Sequence, residues 1–393
     1  MRCPDFTGYK SFAQPSVEDH VIVRIALLLS LGVSWSREAA WRLSELGHEV
    51  HAIDFECEVK GTYLACREDL RTRAIAKLRP ALAGIHIIPG KDISPFRYLR
   101  YAPRLRRICN NLRPDVLFSL WGGGFSLISL ASGIRPYAVF LTGDDVVSLS
   151  GLRKLISQRA LNQAAVVFAN GKFLGDLSRT FAPRARIHPI CLGVDPAKFV
   201  PLPAASSPVV IICTRGFAPI YNNSYLIRAL ALLPNSLPDF RVVFPSAGDL
   251  LSETQELADK ILSPELRRRV RFLNGVTDED LLRNLQSAHI YTSVSRSDGT
   301  SISLLEALSC GLFPVLSDIP ANREWIDRKV GNGMLVPLDK PEEYARQLKE
   351  AILAPAHRTA VSPFNRRLIL ERADSRKTMA SVASLLGNTI RSR

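Results

Sequence analysis

The residues best suited to chemistry lie in one run, Ser295-Arg296-Ser297-Asp298-Gly299-Thr300-Ser301-Ile302-Ser303-Leu304-Leu305-Glu306, continued by Ala307-Leu308-Ser309-Cys310-Gly311-Leu312-Phe313-Pro314-Val315. A β-branched stretch, 290–293, leads into small and hydroxyl-bearing residues, and an apolar helical pattern follows. Gly299 allows close approach of main chain to a ligand. The open N–H groups and dipole of the helix start at Ile302 and Ser303 favour a diphosphate. Thr300, Ser301 and Ser303 add hydroxyl donors. Glu306, one turn into the helix, lies on the same face as Ser303, at a depth where a carboxylate can accept both hydroxyls of a ribose. Asp298, in the loop, lies where a sugar beyond the phosphates would sit. Ser303-x-x-Glu306 also matches a helix capping box, and glycine-bearing strand-to-helix turns are common, so spacing alone leaves both readings open.

Such a loop needs a parallel sheet behind it. Apolar strand patterns alternate with helical ones along the chain, which predicts an α/β protein. Strands are expected over 21–31, 48–55, 85–88, 116–120, 137–141, 166–170 and 187–192, with helices over 35–46, 103–112, 127–132 and 153–161. After a turn at Gly193-Val194-Asp195 comes the proline- and serine-rich stretch 201–208, which reads as a linker. The pattern then restarts, with strands over 209–214, 241–245, 270–273, 290–293 and 313–317 and helices over 223–233, 252–261, 278–288 and 303–310. Two Rossmann-like domains facing across a cleft follow, 1–200 and 201–375, with a last helix, 376–393, packing back toward the first domain. Open parallel sheets bind ligands beyond the carboxyl ends of their strands.

The chain has 393 residues, enough for two cores. Its seven cysteines, Cys3, Cys57, Cys66, Cys109, Cys191, Cys213 and Cys310, form no C-x-x-C pair and suit buried thiols in a reducing cytosol. The apolar run 21–33 is too short to cross a bilayer and reads as a buried strand without a cleaved signal. The seven histidines show no metal-binding spacing, so no metal is expected. The absence of G-x-x-x-x-G-K-[ST] and of G-x-G-x-x-G after the first strand argues against a P-loop nucleotidase and a dehydrogenase. The net charge of +14 favours acidic partners. Arg97, Arg100, Arg104, Arg106, Arg107 and Arg113 interleave with Phe96, Tyr98, Leu99, Tyr101, Leu105 and Ile108, a mixture that suits an anionic membrane surface or, equally, a solvated basic helix face.

The run from Asp298 to Val315 resembles the nucleotide-sugar signature of family 4 GT-B glycosyltransferases, in which two acids flank seven residues before Ala, a small residue, Gly and Pro-Val. The resemblance extends to Ile190-Cys191-Leu192-Gly193-Val194-Asp195 and to Cys213-Thr214-Arg215-Gly216. It implies that Glu306 binds the donor ribose, that Asp298, an Asp where the family usually has Glu, contacts the transferred sugar, and that Arg215 grips the phosphates, a task suited to a fork-shaped cation. The lysine that commonly follows is missing from Pro219-Ile220-Tyr221-Asn222-Asn223. Phe272-Leu273-Asn274-Gly275-Val276 resembles the turn whose main chain at Val276 brackets the base. Leu31-Gly32-Val33-Ser34-Trp35 resembles the loop whose Gly32 faces the donor. Asp145, in Leu141-Thr142-Gly143-Asp144-Asp145-Val146, matches the aspartate of a Gly-Ser-Asp segment, while Thr142 stands where a histidine is frequent, so no base is transferable.

The resemblance implies a retaining transferase that uses a UDP- or GDP-linked sugar, needs no cofactor or metal, and serves a glycan or lipid-linked acceptor in surface polysaccharide or glycolipid synthesis. It also implies a cytoplasmic location, on the inner face of the membrane if the basic N-terminal domain binds lipid, and no nucleic-acid partner. Two alternatives stay open. One is a GT-B relative with epimerase or phosphorylase chemistry. The other is a non-catalytic protein that binds polyanions or membranes.

Overall fold

The computed structural model describes residues 21–56, 68–90, 97–143, 146, 151–203 and 207–391. Among the described residues there are two parallel sheets. The first has strands β1 (Arg24–Leu28), β2 (Glu49–Glu56), β3 (Gly84–Pro89), β4 (Val116–Ser119), β5 (Tyr137–Leu141), β6 (Val166–Ala169) and β7 (Ile187–Pro189), in the order β3-β2-β1-β4-β5-β6-β7. The second has β8 (Val209–Ile212), β9 (Phe240–Phe244), β10 (Val270–Phe272), β11 (Ile290–Ser293), β12 (Phe313–Ser317) and β13 (Met334–Val336), in the order β10-β9-β8-β11-β12-β13. Helices connect successive strands, which is how parallel neighbours must be joined. The central strands are apolar on both faces because helices cover both: every residue of β4, β5, β11 and β12 is buried.

The two sheets share one topological property. In each, the strand that comes first in the chain lies between the second and the fourth, so β1 neighbours β4 and β8 neighbours β11. At that place successive connections leave in opposite directions, and the loops beyond the two carboxyl ends part. A ligand crevice in a parallel sheet belongs there. Gly32 follows β1, and Trp121-Gly122-Gly123 follows β4; Arg215 follows β8, and Asp298 to Ser303 follow β11.

The chain divides into two compact units, one taking in the described residues up to 56, Arg73–Leu192 and 375–391, the other the described residues 68–72 and those of Gly193–Asp374. The proline-rich stretch at 201 therefore lies inside the second unit, because the segment before it is bonded there. Val194 N–H donates to Ala373 O at 2.9 Å, and Phe199 O accepts from Ser309 Oγ at 2.7 Å. The last described helix, Ser375–Arg391, packs on the helix Ser34–Glu45 within the first unit, where Ser375 Oγ donates to Glu38 Oε1 at 3.0 Å. Each unit has its own core, centred on Leu28, Phe125 and Val139 in the first and on Ile211, Phe244 and Leu348 in the second.

Several elements lack a forecast in the sequence, among them the helices Lys172–Phe181, Pro341–Leu353 and Pro355–Arg372 and the edge strand β13. Pro363 sits inside the helix Pro355–Arg372, where a proline ordinarily argues against helix. Buried Asn365 ties that helix down, its Nδ2 donating to Leu312 O at 2.9 Å. The cysteines Cys109, Cys191, Cys213 and Cys310 are buried free thiols; Cys3, Cys57 and Cys66 lie outside the described residues.

Gly248, in the turn after β9, has φ of +152°, and a Cβ there would stand 2.6 Å from both the N and the O of Phe217. Phe217 N–H donates to Ala247 O at 3.1 Å, so this contact locks the loop that carries Arg215. Gly248→Ala is expected to cost about 2 kcal/mol or more through overpacking and backbone strain. Urea denaturation of the two proteins measures it, and an unchanged midpoint would show that the two loops are not held by this contact.

Candidate functional site

Arg215 and the loop after β11 form one bonded cluster. Arg215 is buried, and its fork is divided between two acceptors: Nη1 donates to Ser301 Oγ at 2.8 Å, and Nη2 meets Asp298 Oδ2 at 2.7 Å. Its Cζ stands 4.2 Å from the ring centroid of Tyr221, close enough for the aromatic face to attract the cation. A guanidinium removed from water needs such partners, since an unpaired buried charge is costly.

Ser301 then links this cation to the helix Ile302–Ser309. It is the N-cap: its Oγ accepts from Leu304 N–H at 3.3 Å, and its main-chain O accepts from Leu305 N–H at 3.1 Å. Capping by Ser301 excludes the capping-box alternative for Ser303 and Glu306, whose register is two residues later. The N–H groups of Ile302 and Ser303 take no partner within the helix, and both residues are partly exposed. The mouth of the helix is thus open. Gly299, Thr300 and Ser301 are buried, leaving Ser303 as the hydroxyl of the three that reaches solvent; Gly299 makes its turn without left-handed backbone.

Glu306 sits one turn deeper and is almost fully buried. Burial pushes its carboxyl up to about 8; Lys198 and Arg215 pull it down, and Asp278 adds to the rise. None of the described residues donates a hydrogen bond to this carboxylate. A buried carboxylate without donors is poorly satisfied, and hydroxyl groups presented from the open mouth would relieve it.

The scaffold around the cluster was harder to foresee. Asn223 Nδ2 donates to Gly216 O at 3.0 Å, and Ser246 Oγ donates to Thr214 O at 2.8 Å, so the residues on both sides of Arg215 are pinned. Arg296 N–H donates to Ile220 O at 2.9 Å, which ties the loop after β11 to the turn that holds Tyr221. Ser317 Oγ supports the same loop through Ser295 O at 2.7 Å. In the sequence the stretch 219–223 signals only a turn and a missing lysine. The Asn-Asn pair is the usable clue, because Asn222 takes the left-handed conformation, φ 55°, that asparagine tolerates.

The remaining residues are more scattered. Val276 follows a turn in which Asn274 and Gly275 have φ of 53° and 87°, and Gly275 N–H donates to Pro245 O at 2.9 Å. Gly32 lies in the first unit, partly exposed, in a turn held by Leu31 N–H on Asp54 Oδ2 at 3.1 Å. Asp144 and Asp145 lie outside the described residues. No group of three or more His, Cys, Asp or Glu side chains among the described residues is arranged to hold a metal ion.

Residues 34–198 match the Glycosyltransferase Family 4 model, and residues 195–367 match the model for glycosyl transferases group 1. Solved structures share the fold: a glycosyltransferase from Rickettsia africae ESF-5 superposes with a TM-score of 0.71 at 16% identity, covering 95% of this chain and 100% of that one. The Anabaena protein HepE in complex with UDP gives 0.72 at 16%, covering 93% and 100%. The chain therefore belongs to the family 4 glycosyltransferases of the GT-B fold. Among curated relatives, a GDP-mannose:cellobiosyl-diphosphopolyprenol alpha-mannosyltransferase from Xanthomonas oryzae pv. oryzae (strain PXO99A) is 31% identical over 192 residues, which is 48% of this chain and 49% of that protein. The chain spans about half the length of the curated relatives it matches.

Tyr221 tests whether the cation is held by a ring face. Tyr221→Leu is expected to lose about 2 kcal/mol more stability than Tyr221→Phe, which keeps the aromatic surface under Arg215. Parallel denaturation curves decide it, and equal losses would remove the stacking contact from the account.

Proposed function

We propose that this chain is a retaining glycosyltransferase that binds a nucleoside-diphosphate sugar in its second unit and delivers the sugar to a glycan or lipid-linked acceptor. The observation that carries this is the open helix mouth at Ile302 and Ser303, with Arg215 bonded to its cap and the buried acid Glu306 one turn within. Main-chain N–H groups and Arg215 hold the diphosphate, Glu306 accepts the ribose hydroxyls, and Asp298 faces the sugar. The site stabilises the charge that grows on the diphosphate as the bond from the sugar C1 to its phosphate oxygen breaks. The acceptor oxygen bonds to C1 on the same face, and its proton passes to the departing phosphate, so no protein base is needed. Relatives support the donor class: the Xanthomonas protein is named for GDP-mannose, and HepE has been solved with UDP-glucose.

Attraction to an anionic membrane surface belongs to the same proposal, with its source revised. The helix Ala102–Leu112 turns Ala102, Leu105 and Cys109 into the core, so its apolar stripe is not available to lipid. Its exposed arginines, Arg104, Arg106 and Arg107, leave an electrostatic contribution. Exposed apolar side chains include Leu99, just before that helix, and Leu152 and Leu155 on the helix Gly151–Gln163, where they accompany Arg153 and Lys154. No described helix is long and apolar enough to cross a membrane.

A thermal-shift screen of nucleoside diphosphates and their sugars is expected to find one base that raises the melting temperature, because a ligand of the folded state must stabilise it. Glu306→Ala should lose at least about tenfold in affinity for that ligand, while Asp298→Ala should slow turnover without weakening nucleotide binding. Equal titration curves for wild type and Glu306→Ala would end the proposal.

The raised Glu306 carboxyl has a pH signature. Its pKa in the folded chain lies above the ordinary value, so its contribution to stability is full below about 4.5 and is lost as pH rises through about 8. Glu306→Gln should flatten that loss. Ribose hydroxyls favour the ionised form, so nucleotide binding at pH 7 should release protons, detectable by calorimetry in buffers of different ionisation enthalpy. Absence of proton release would place the ribose elsewhere.

A further inference from the structure

We infer that Asp298 is the resident counter-ion of Arg215 and yields that place to the donor's diphosphate, so that its carboxylate favours the loaded donor over the spent nucleoside diphosphate. The inference rests on the donor site proposed above and adds a discrimination that the site would otherwise lack.

Three observations carry it. The Nη2 to Oδ2 contact of 2.7 Å joins two side chains that are 6% and 17% exposed, so this is an interior ion pair with little solvent to screen it. The other arm of the guanidinium is committed to Ser301 Oγ, itself held as the helix cap, and Tyr221 covers the ring-facing side of the group. Arg215 is therefore fixed in orientation, and the partner that can be exchanged is the carboxylate on a loop residue. Finally, the stretch Pro219-Ile220-Tyr221-Asn222-Asn223 contributes an aromatic ring and amides but no cation. A diphosphate bound at Arg215 meets a positive charge that Asp298 already neutralises.

The consequence is a competition that depends on the state of the ligand. Any phosphate oxygen bonded to Arg215 comes within a few ångströms of the Asp298 carboxylate, and two like charges at that range in a buried site repel. With the donor bound, the sugar offers hydroxyl donors that Asp298 can accept, and the carboxylate gains a partner. After transfer those hydroxyls leave with the sugar, the repulsion is uncompensated, and Asp298 returns to Arg215 as the nucleoside diphosphate departs.

Titration of wild type, Asp298→Asn and Asp298→Glu with bare GDP and bare UDP tests this. Asp298→Asn removes the charge and should bind the nucleoside diphosphate about threefold to tenfold more tightly, with a matching fall in its product-inhibition constant and a lower kcat. Asp298→Glu keeps the charge and should stay within about twofold of wild type. Equal or weaker binding by Asp298→Asn overturns the inference, as does a Glu variant that gains as much as Asn. Should Asp298→Asn fail to fold by circular dichroism, Asp298→Ser removes the same charge and carries the same expectation. Failure of the wild type to bind either nucleotide would instead sink the donor site itself.

Discussion

A guanidinium that has left water needs partners for its charge, and in this chain that requirement organises the second unit's ligand end. Arg215 reaches from the end of β8 to two residues beyond the end of β11, its neighbour in the sheet. The surrounding loops are arranged to keep it there: amide and hydroxyl groups of Asn223 and Ser246 hold the main chain on either side, and Tyr221 supplies the face on which it rests. Because Ser301 accepts from Arg215 while also capping the helix, the position of the cation and the direction of the helix mouth are set by the same oxygen. A glycine without a side chain, Gly248, enters the chemistry through its packing on Phe217 in the loop that carries Arg215.

Sequence patterns singled out Arg215, Asp298 and the helix start, which the structure brings together, but not what supports them. Strands such as Tyr137–Leu141, Ile290–Ser293 and Phe313–Ser317 fall where apolar, β-branched runs place them, since fully buried parallel strands need such runs. The acid pair and Arg215 were legible because their chemistry is tied to residue type and to strand ends. Tyr221 and Asn223 were not, because their roles arise from tertiary proximity rather than from a local motif. The helix Pro355–Arg372 was hidden for a different reason: Pro363 contradicts local propensity, and burial of Asn365 on a partner segment overrides it. The boundary between units also eluded composition. Proline and serine at 201–208 give a linker-like composition, yet the bonds of Val194 and Phe199 decide which unit owns the segment before it.

The positive charge carries a similar lesson about amphipathic patterns. Arginines alternating with apolar residues over 97–113 look like a surface made for lipid, but the same periodicity is what an ordinary core-facing helix needs. The structure assigns the apolar residues Leu105 and Cys109 to the core, and the arginine side chains do local work as well. Arg106 caps the carboxyl end of the helix Gly124–Ser132 by donating to Ser132 O, and Arg104 reaches Pro89 O. Apolar exposure on Leu152 and Leu155 could not be read from sequence, because nothing local distinguishes an outward leucine from an inward one.

The chain path has a consequence for synthesis. The second unit is built mainly from one stretch, Gly193–Asp374, whose two ends are joined, Val194 to Ala373, so everything it needs has emerged from the ribosome once Asp374 has. The first unit, although begun earlier, still lacks the helix Ser375–Arg391, whose Ser375 and Thr378 donate to Glu38 and to the Leu192 carbonyl. Its core must therefore wait, partly assembled, through translation of a whole intervening domain. Translation order and order of completion run opposite to each other in this molecule.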